Sequence, residues 1–177
     1  MPATVVTRPI ELDDAPTLVD LLRVDRAFLA PWDPIRDESF FSLDGQREAV
    51  RDALAMQRDG LGRVHVIVDE GSVVGRIALT GVVRGALQSC ALSYWVASAH
   101  NGRGLATAAV GELLDVAFRD LGLHRVQAET LLHNVASQRV LARNGFVRYG
   151  TAPQYLRIAG RWQDHAMFQA LDPAADR

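Results

Sequence analysis

Residues 94–107 read Tyr-Trp-Val-Ala-Ser-Ala-His-Asn-Gly-Arg-Gly-Leu-Ala-Thr, and the way this stretch ends one element and opens another decides the fold. Upstream, residues 90–96 have the pattern of a strand. Downstream, residues 104–121 read as a helix with Leu105, Ala109, Leu113, Val116 and Ala117 on one face. A strand that feeds a glycine loop and then a long helix leaves unsatisfied backbone N–H groups at the helix start. These, with the positive end of the helix dipole, suit a phosphate or pyrophosphate. Gly102 and Gly104 remove the Cβ that would hold an anion off the backbone, and Arg103 adds a fixed charge. The same glycines also suit an ordinary turn. A dinucleotide loop is disfavoured, because it needs a third glycine where Thr107 stands and a first βαβ unit near the chain start.

Working outward, residues 3–10 read as a strand ending at Pro9. Asp13 and Asp14 can cap a helix with Leu18, Leu21, Leu22 and Val24 at helical spacing, running to about Leu29, where Pro31 stops it. A second helix starts near Ser42 or Asp44 and continues through Val50, Leu54 and Met56 to Gly60. Residues 64–69 and 73–83 form strands joined by a Glu70-Gly71-Ser72 turn, and Arg84-Gly85 opens the next connection. Beyond the long helix come a strand at 125–130, a short helix at 137–143 closed by Asn144-Gly145, and strands at 146–158 and 162–170 turning at Ala159-Gly160. This order predicts an α/β fold with a mixed, mostly antiparallel sheet. With no repeat and no linker, residues 1–177 are expected to form one domain.

Composition excludes several chemistries. The 177 residues are enough for one core, and 49% hydrophobic with 23% charged residues is an ordinary globular balance. All 19 cationic residues are arginine, against 21 acidic ones, for a net charge of −2. The absence of lysine excludes a Schiff-base lysine, a lysine general base and a lysine-dependent phosphate loop. A near-neutral balance argues against general nucleic-acid binding. The single Cys90 cannot form an internal disulfide, and its expected place is the core. The five histidines lack metal-ligand spacing, so no metal is expected. No signal-peptide core or membrane-length apolar run is present, so the expected compartment is the cytoplasm.

Downstream, His133-Asn134-Val135-Ala136-Ser137-Gln138-Arg139-Val140-Leu141 is followed by Asn144-Gly145-Phe146. With these residues the chain resembles the GNAT N-acetyltransferase superfamily. The family's pyrophosphate motif, Gln/Arg-x-x-Gly-x-Gly/Ala, falls on Asn101 through Ala106, with Asn101 replacing the usual Gln or Arg. The later Asn-x-x-Ser and Gly-Phe elements match at Asn134, Ser137, Gly145 and Phe146. Residues 28–39, 82–85 and 155–165 are similar to segments of the RimJ/RimL-type ribosomal-protein-alanine N-acetyltransferases, closest to RimJ, in the same order along the chain.

The resemblance implies a sheet of about seven strands with about four helices, and acetyl-CoA bound where the strand carrying Val96 splays from the strand at 125–130. The backbone around Trp95 and Val96 would meet the pantetheine arm and polarise the thioester carbonyl. Asn101, Gly102 and the amides of Arg103, Gly104, Leu105, Ala106 and Thr107 would hold the pyrophosphate. Asn134, Ser137 and Arg139 would complete the cosubstrate site. The acceptor amine then attacks directly, so no enzyme nucleophile is needed. Ser137 matches the position that protonates the leaving thiolate, and it also suits an N-cap for the helix at 137–143; the two roles are compatible. Relatives often carry Glu where this chain has Tyr149, so Glu129, Glu38 and Asp37 are the substitute bases, with Tyr149 as a possible water-mediated relay. An N-terminal α-amine, with an unperturbed pKa of about 7.7–8.0, needs only a weak base.

By family position Trp32, with Arg36, Asp37, Glu38 and Arg84 as polar contacts, would bind the acceptor; Trp32 would equally suit stapling the first two helices to the sheet. The expected acceptor is a protein N-terminal α-amine, with the N-terminal alanine of a ribosomal protein as candidate. A small amine such as an antibiotic or metabolite is the alternative, and a non-catalytic acyl-CoA-binding module is a third reading, motivated by Asn101 and Tyr149. The oligomeric state stays open.

Overall fold

The computed structural model describes residues 6–174. Seven strands form one sheet: β1 (Thr7–Pro9), β2 (Arg63–Asp69), β3 (Ser72–Val83), β4 (Ser89–Val96), β5 (Arg125–Leu131), β6 (Val147–Ile158) and β7 (Arg161–Leu171), in the order β1-β2-β3-β4-β5-β7-β6. Every neighbouring pair is antiparallel except β4 and β5, which run parallel. The helices are α1 (Ala15–Val24), α2 (Arg26–Leu29), α3 (Leu43–Arg58), α4 (Leu105–Asp115) and α5 (Val135–Arg143). The expected α/β architecture is present. The first three residues of the expected strand at 3–10 lie outside the described residues.

The sheet separates two apolar layers. On one face Ile77, Leu79, Leu92 and Val126 pack with Leu113 of α4 and Leu141 of α5. On the other, Val64, Val66 and Ala78 pack with Leu18 of α1 and Val50 of α3. This follows from period-two alternation in strands against the helical stripe of each covering element.

The helices differ from the sequence reading in three places. The first predicted helix is two, α1 and α2, because Asp25 leaves helical geometry between them at φ −94°, ψ 10°. Its buried carboxylate instead accepts from Ser98 N and Ser98 Oγ, each at 2.6 Å, which ties the α1–α2 junction to the segment after β4. The second difference is α5, which starts at Val135 and is capped by Asn134, whose side-chain oxygen accepts from Ser137 N at 3.1 Å. Ser137 is therefore the third residue of the helix and not its cap. Third, the helix expected over 104–121 ends as an α-helix at Asp115 and finishes in a wider π turn over Val116–Asp120.

One departure from sheet regularity positions everything that follows. β4 and β5 pair only from Ser89–Arg125 to Ala91–Gln127. Beyond these residues each strand keeps its outer partner, β3 for β4 and β7 for β5. The sheet thus opens a wedge between two otherwise well-paired halves.

Candidate active site

The wedge is the floor of a cleft of about 480 Å³. Its walls come from β3 and β4 on one side, β5 and the start of α5 on the other, with the Trp32–Phe40 segment above. Trp32 is part of the lining, and its ring lies 5.4 Å from that of His133, tilted by 36°, so the segment after α2 meets the segment after β5.

On the α5 side, the Tyr94 hydroxyl and Ser137 Oγ are 2.8 Å apart. Burial pushes the Tyr94 phenol up to about 12, so it is a neutral hydrogen-bond donor throughout the physiological range. On the other face, Glu129 enters the cleft from β5 with its Oε2 buried and lacking a hydrogen-bond partner among the described residues. Desolvation raises its carboxyl above the ordinary value, opposed by hydrogen bonding with Gln127. A carboxylate that is desolvated yet lacks a full set of donors binds a proton more readily than a solvated one.

The loop preceding α4 is built as its glycines require. Gly102 and Gly104 have φ of +78° and +82°, the left-handed region that disfavours other residues. Gly104 is the N-cap of α4 and provides no side-chain acceptor, so the first-turn donors lack the usual side-chain cap. Arg103 is not simply a free cation beside this loop: it pairs with Asp69 and reaches Glu70 at 3.5 Å, and His100 Nδ1 also contacts Asp69 at 2.9 Å. These side chains brace the loop against the β2–β3 turn. Asn101 is exposed and continues the same loop, and Arg139 is exposed on α5.

The cleft brings together Trp32, Arg36, Trp95, Glu129, Asn134 and Ser137 from the sequence-predicted set. Val96 is buried beside it, opposite Gly75 of β3. The predicted loop residues 101–107 and Arg139 lie outside this lining, and so do Glu38, Asp37 and Arg84. Glu38 is exposed and paired with Arg26, and Asp37 is exposed ahead of a short 3-10 turn. Arg84 lies at the closed end of the β4–β5 pair, where it donates to the Leu121 carbonyl at 2.6 Å and to Gln88 at 3.3 Å. Tyr149 is also outside the lining; its hydroxyl donates to Gln127 at 3.2 Å and its ring faces the Arg125 guanidinium at 5.4 Å. Cys90 is buried and its thiol is pushed up to about 12, which fits a core residue.

Sequence reasoning missed Tyr94, Arg76 and Asp33, all of which line the cleft. Strand alternation would have placed Tyr94 on the face of Leu92 and Val96, but its partner is 43 residues away. The same alternation gives Arg76 the face of Ala78, without revealing that this face opens beyond α1.

The parallel strand pair that separates beside a glycine-initiated helix is the splayed cleft that the resemblance to an acyltransferase family implies. Residues 5–147 match the family model described as "Acetyltransferase (GNAT) domain". The chain belongs to the GNAT acetyltransferase family and is an N-acetyltransferase of that family. It is 32% identical to "Probable N-acetyltransferase YjcK" of Bacillus subtilis over 96% of this chain and 95% of that protein. It is also 32% identical to the "[Ribosomal protein uS5]-alanine N-acetyltransferase" of Escherichia coli, over 95% and 88% of the two chains. Among solved structures, Mycobacterium smegmatis RimJ in complex with CoA-disulfide is similar with a TM-score of 0.92 and 33% identity, over 99% of this chain and 86% of that one.

Proposed function

We propose that the chain, acting as one catalytic domain over residues 1–177, transfers the acetyl group of acetyl-CoA to the N-terminal α-amine of a protein. An N-terminal alanine of a ribosomal protein is the candidate acceptor, and the cytoplasm the expected compartment. The observation that carries this reading is the two-sided wedge, with Tyr94 and Ser137 on one side and Glu129 on the other. The ribosomal-protein-alanine acetyltransferase activity of the Escherichia coli relative and the CoA ligand of the Mycobacterium smegmatis structure support it.

Acetyl-CoA supplies the activated thioester. The amides of Arg103 through Thr107, with Asn101 and Gly102, hold its pyrophosphate, and the open edge at Trp95 and Val96 takes the pantetheine arm. Asn134 and Arg139 complete the cosubstrate side. Trp32 walls the acceptor side. Glu129 removes one proton from the α-ammonium; the freed lone pair forms the N–C bond as the carbonyl π pair moves onto oxygen. The tetrahedral adduct collapses with the C–S electron pair leaving on sulfur while its second N–H proton is released to solvent. The Tyr94–Ser137 pair stabilises that thiolate by a hydrogen bond. With a phenol pKa of about 12 against about 8.5 for a thiol, the tyrosine does not surrender its proton outright. Ser137 thus acts at the leaving group as a donor polarised by Tyr94, while Tyr149 remains beyond the first contacts of the amine.

The test is turnover with acetyl-CoA on N-terminal peptides and small amines, read as thiol release and by mass of the acetylated product. Peptide turnover at least equal to that of the best small amine is expected. Turnover confined to small amines overturns the protein acceptor in favour of an antibiotic- or metabolite-type amine. Acetyl-CoA binding without turnover on any acceptor overturns the acyl-transfer assignment altogether.

A further inference from the structure

Folded proteins rarely leave buried polar atoms unpaired. Among the described residues four side-chain atoms are in that state, and three of them, Arg76 Nε, Glu129 Oε2 and Thr130 Oγ1, belong to residues lining the one cleft. Glu129 has a role on the reading above. Arg76 has none.

Pairing places Arg76 on the acceptor side. It stands opposite Trp95, which is two strand steps of two residues from Ala91, whose partner is Gln127. Paired residues share a face, as do residues two apart along a strand, so Arg76 and Glu129 project from the same face of the sheet. Trp95 packs there against the α1–α3 layer. Arg76 makes no ion pair among the described residues. Burial and the neighbouring Arg36 both make its charge harder to hold. Arg36 has only a loose carboxylate contact, with Asp33 at 3.9 Å, and otherwise lies over the Phe40 ring at 4.8 Å. A half-buried guanidinium next to a second cation is costly unless an anion completes it, and a carboxylate does so with two parallel charge-assisted bonds.

We propose that Arg76, aided by Arg36, binds a carboxylate that the acceptor carries a short distance from its reacting amine. The inference rests on the reading of Glu129 as the group that meets that amine. Two strand spacings across and one same-face step along set a lower bound of roughly 12 Å on the separation of the Arg76 and Glu129 backbones, which the opening of β4 from β5 widens and the two side chains narrow. At about 3.4 Å per extended residue, an acidic side chain within roughly the first four residues of a peptide spans it. A free amino acid with a side-chain carboxylate presents the same chemistry from a smaller molecule.

The experiment compares kcat/KM on matched acceptors that differ only by a carboxylate or its amide: Ala-initiated peptides with Glu or Gln at position 2, 3 or 4, and free glutamate against free glutamine. Wild type is expected to favour the acid at least tenfold at one position. Arg76→Gln brings that ratio to within twofold of unity, Arg76→Lys retains much of it, and Arg36→Gln reduces it by a smaller factor. Because the ratio is internal to each variant, a partly unfolded preparation does not alter it. A wild-type ratio near unity for every pair, or a preference undiminished in Arg76→Gln, overturns the inference. If only free glutamate is acetylated and its advantage vanishes in Arg76→Gln, the carboxylate site stands and the protein acceptor falls. If peptides are acetylated with no acid preference, the protein acceptor stands and the carboxylate site falls. Failure to acetylate any of these acceptors overturns both.

Discussion

Glu129 shows how one residue is set against the stability of its own fold. Its carboxyl is held above the ordinary value chiefly by desolvation, and one oxygen has no hydrogen-bond partner among the described residues. The sign of the linkage follows from that direction. A raised folded pKa means that the native state binds the proton more tightly than the unfolded chain, so the contribution to stability is fully present below the unfolded value near 4.3 and is lost as pH rises through the folded pKa. At neutral pH the ionised side chain is therefore a local cost. Glu129→Gln is expected to raise the melting temperature at pH 7 by a few degrees, the size of roughly 1 kcal/mol for a chain of this length. The same change lowers kcat about 10²–10³-fold if Glu129 takes the amine proton, and it removes the acid limb of the kcat/KM profile. Thermal melts at pH 5 and pH 7 with a pH–rate series check both. Lower activity with an unchanged profile would assign the residue to positioning. Asp37 and Glu38 were equal candidates from sequence, because three carboxylates in loops and strands carry no mark of which one a cleft will desolvate. Only the packing of β5 beneath Trp32 separates them.

Among the elements, α5 is capped by Asn134, the same side chain that is proposed to bind the cosubstrate. Asn134 holds the Ser137 amide, which fixes the first turn of α5 and with it the position of Ser137 Oγ against Tyr94. Asn134→Ala is expected to destabilise the protein by about 1 kcal/mol, the usual value of such a cap. Asn134→Asp keeps an oxygen acceptor at the same place and should recover most of that loss. If Asn134 also meets the pantetheine arm through its amide N–H, the aspartate variant will still bind acetyl-CoA several-fold more weakly than wild type. Chemical denaturation and calorimetric titration of the two variants separate these roles, and full recovery of both properties in the aspartate variant would leave the residue as a cap alone. The Asn-x-x-Ser spacing made both residues legible in the sequence. It did not show which of them caps the helix, because Ser is also a good N-cap and the difference lies in where the chain turns after β5. The break between α1 and α2 was hidden for a similar reason. Asp25 fits a helical pattern, and the Ser98 donors that pull it out of that pattern lie 73 residues along the chain.

At the scale of the molecule, the alternating strands, the α4 stripe and the glycine loop were legible because each depends on residues close in sequence. The β4–β5 wedge was accessible only by family resemblance, since nothing in either strand's own pattern stops their pairing after Ala91 and Gln127. Its contents were less legible still: Arg76, Tyr94 and Glu129 acquire meaning from the strand order and from which helix leaves which face uncovered. The wedge also thins the link across the sheet, where three ladder pairs join the β1–β4 half to the β5–β7 half above their shared core. A ligand bound across it, touching the start of α4 on one side and the start of α5 on the other, should stiffen both halves together. At 100 times its Kd, a ligand specific for the native state adds about 2.7 kcal/mol, which for a chain of this length is roughly 5–10 °C in melting temperature. Acetyl-CoA is expected to produce a shift of that size, with the gain in amide-exchange protection concentrated in residues 95–107 and 131–141. Protection confined to one half, or to the β1–β2 edge, would place the cosubstrate elsewhere and overturn the wedge as the site of transfer.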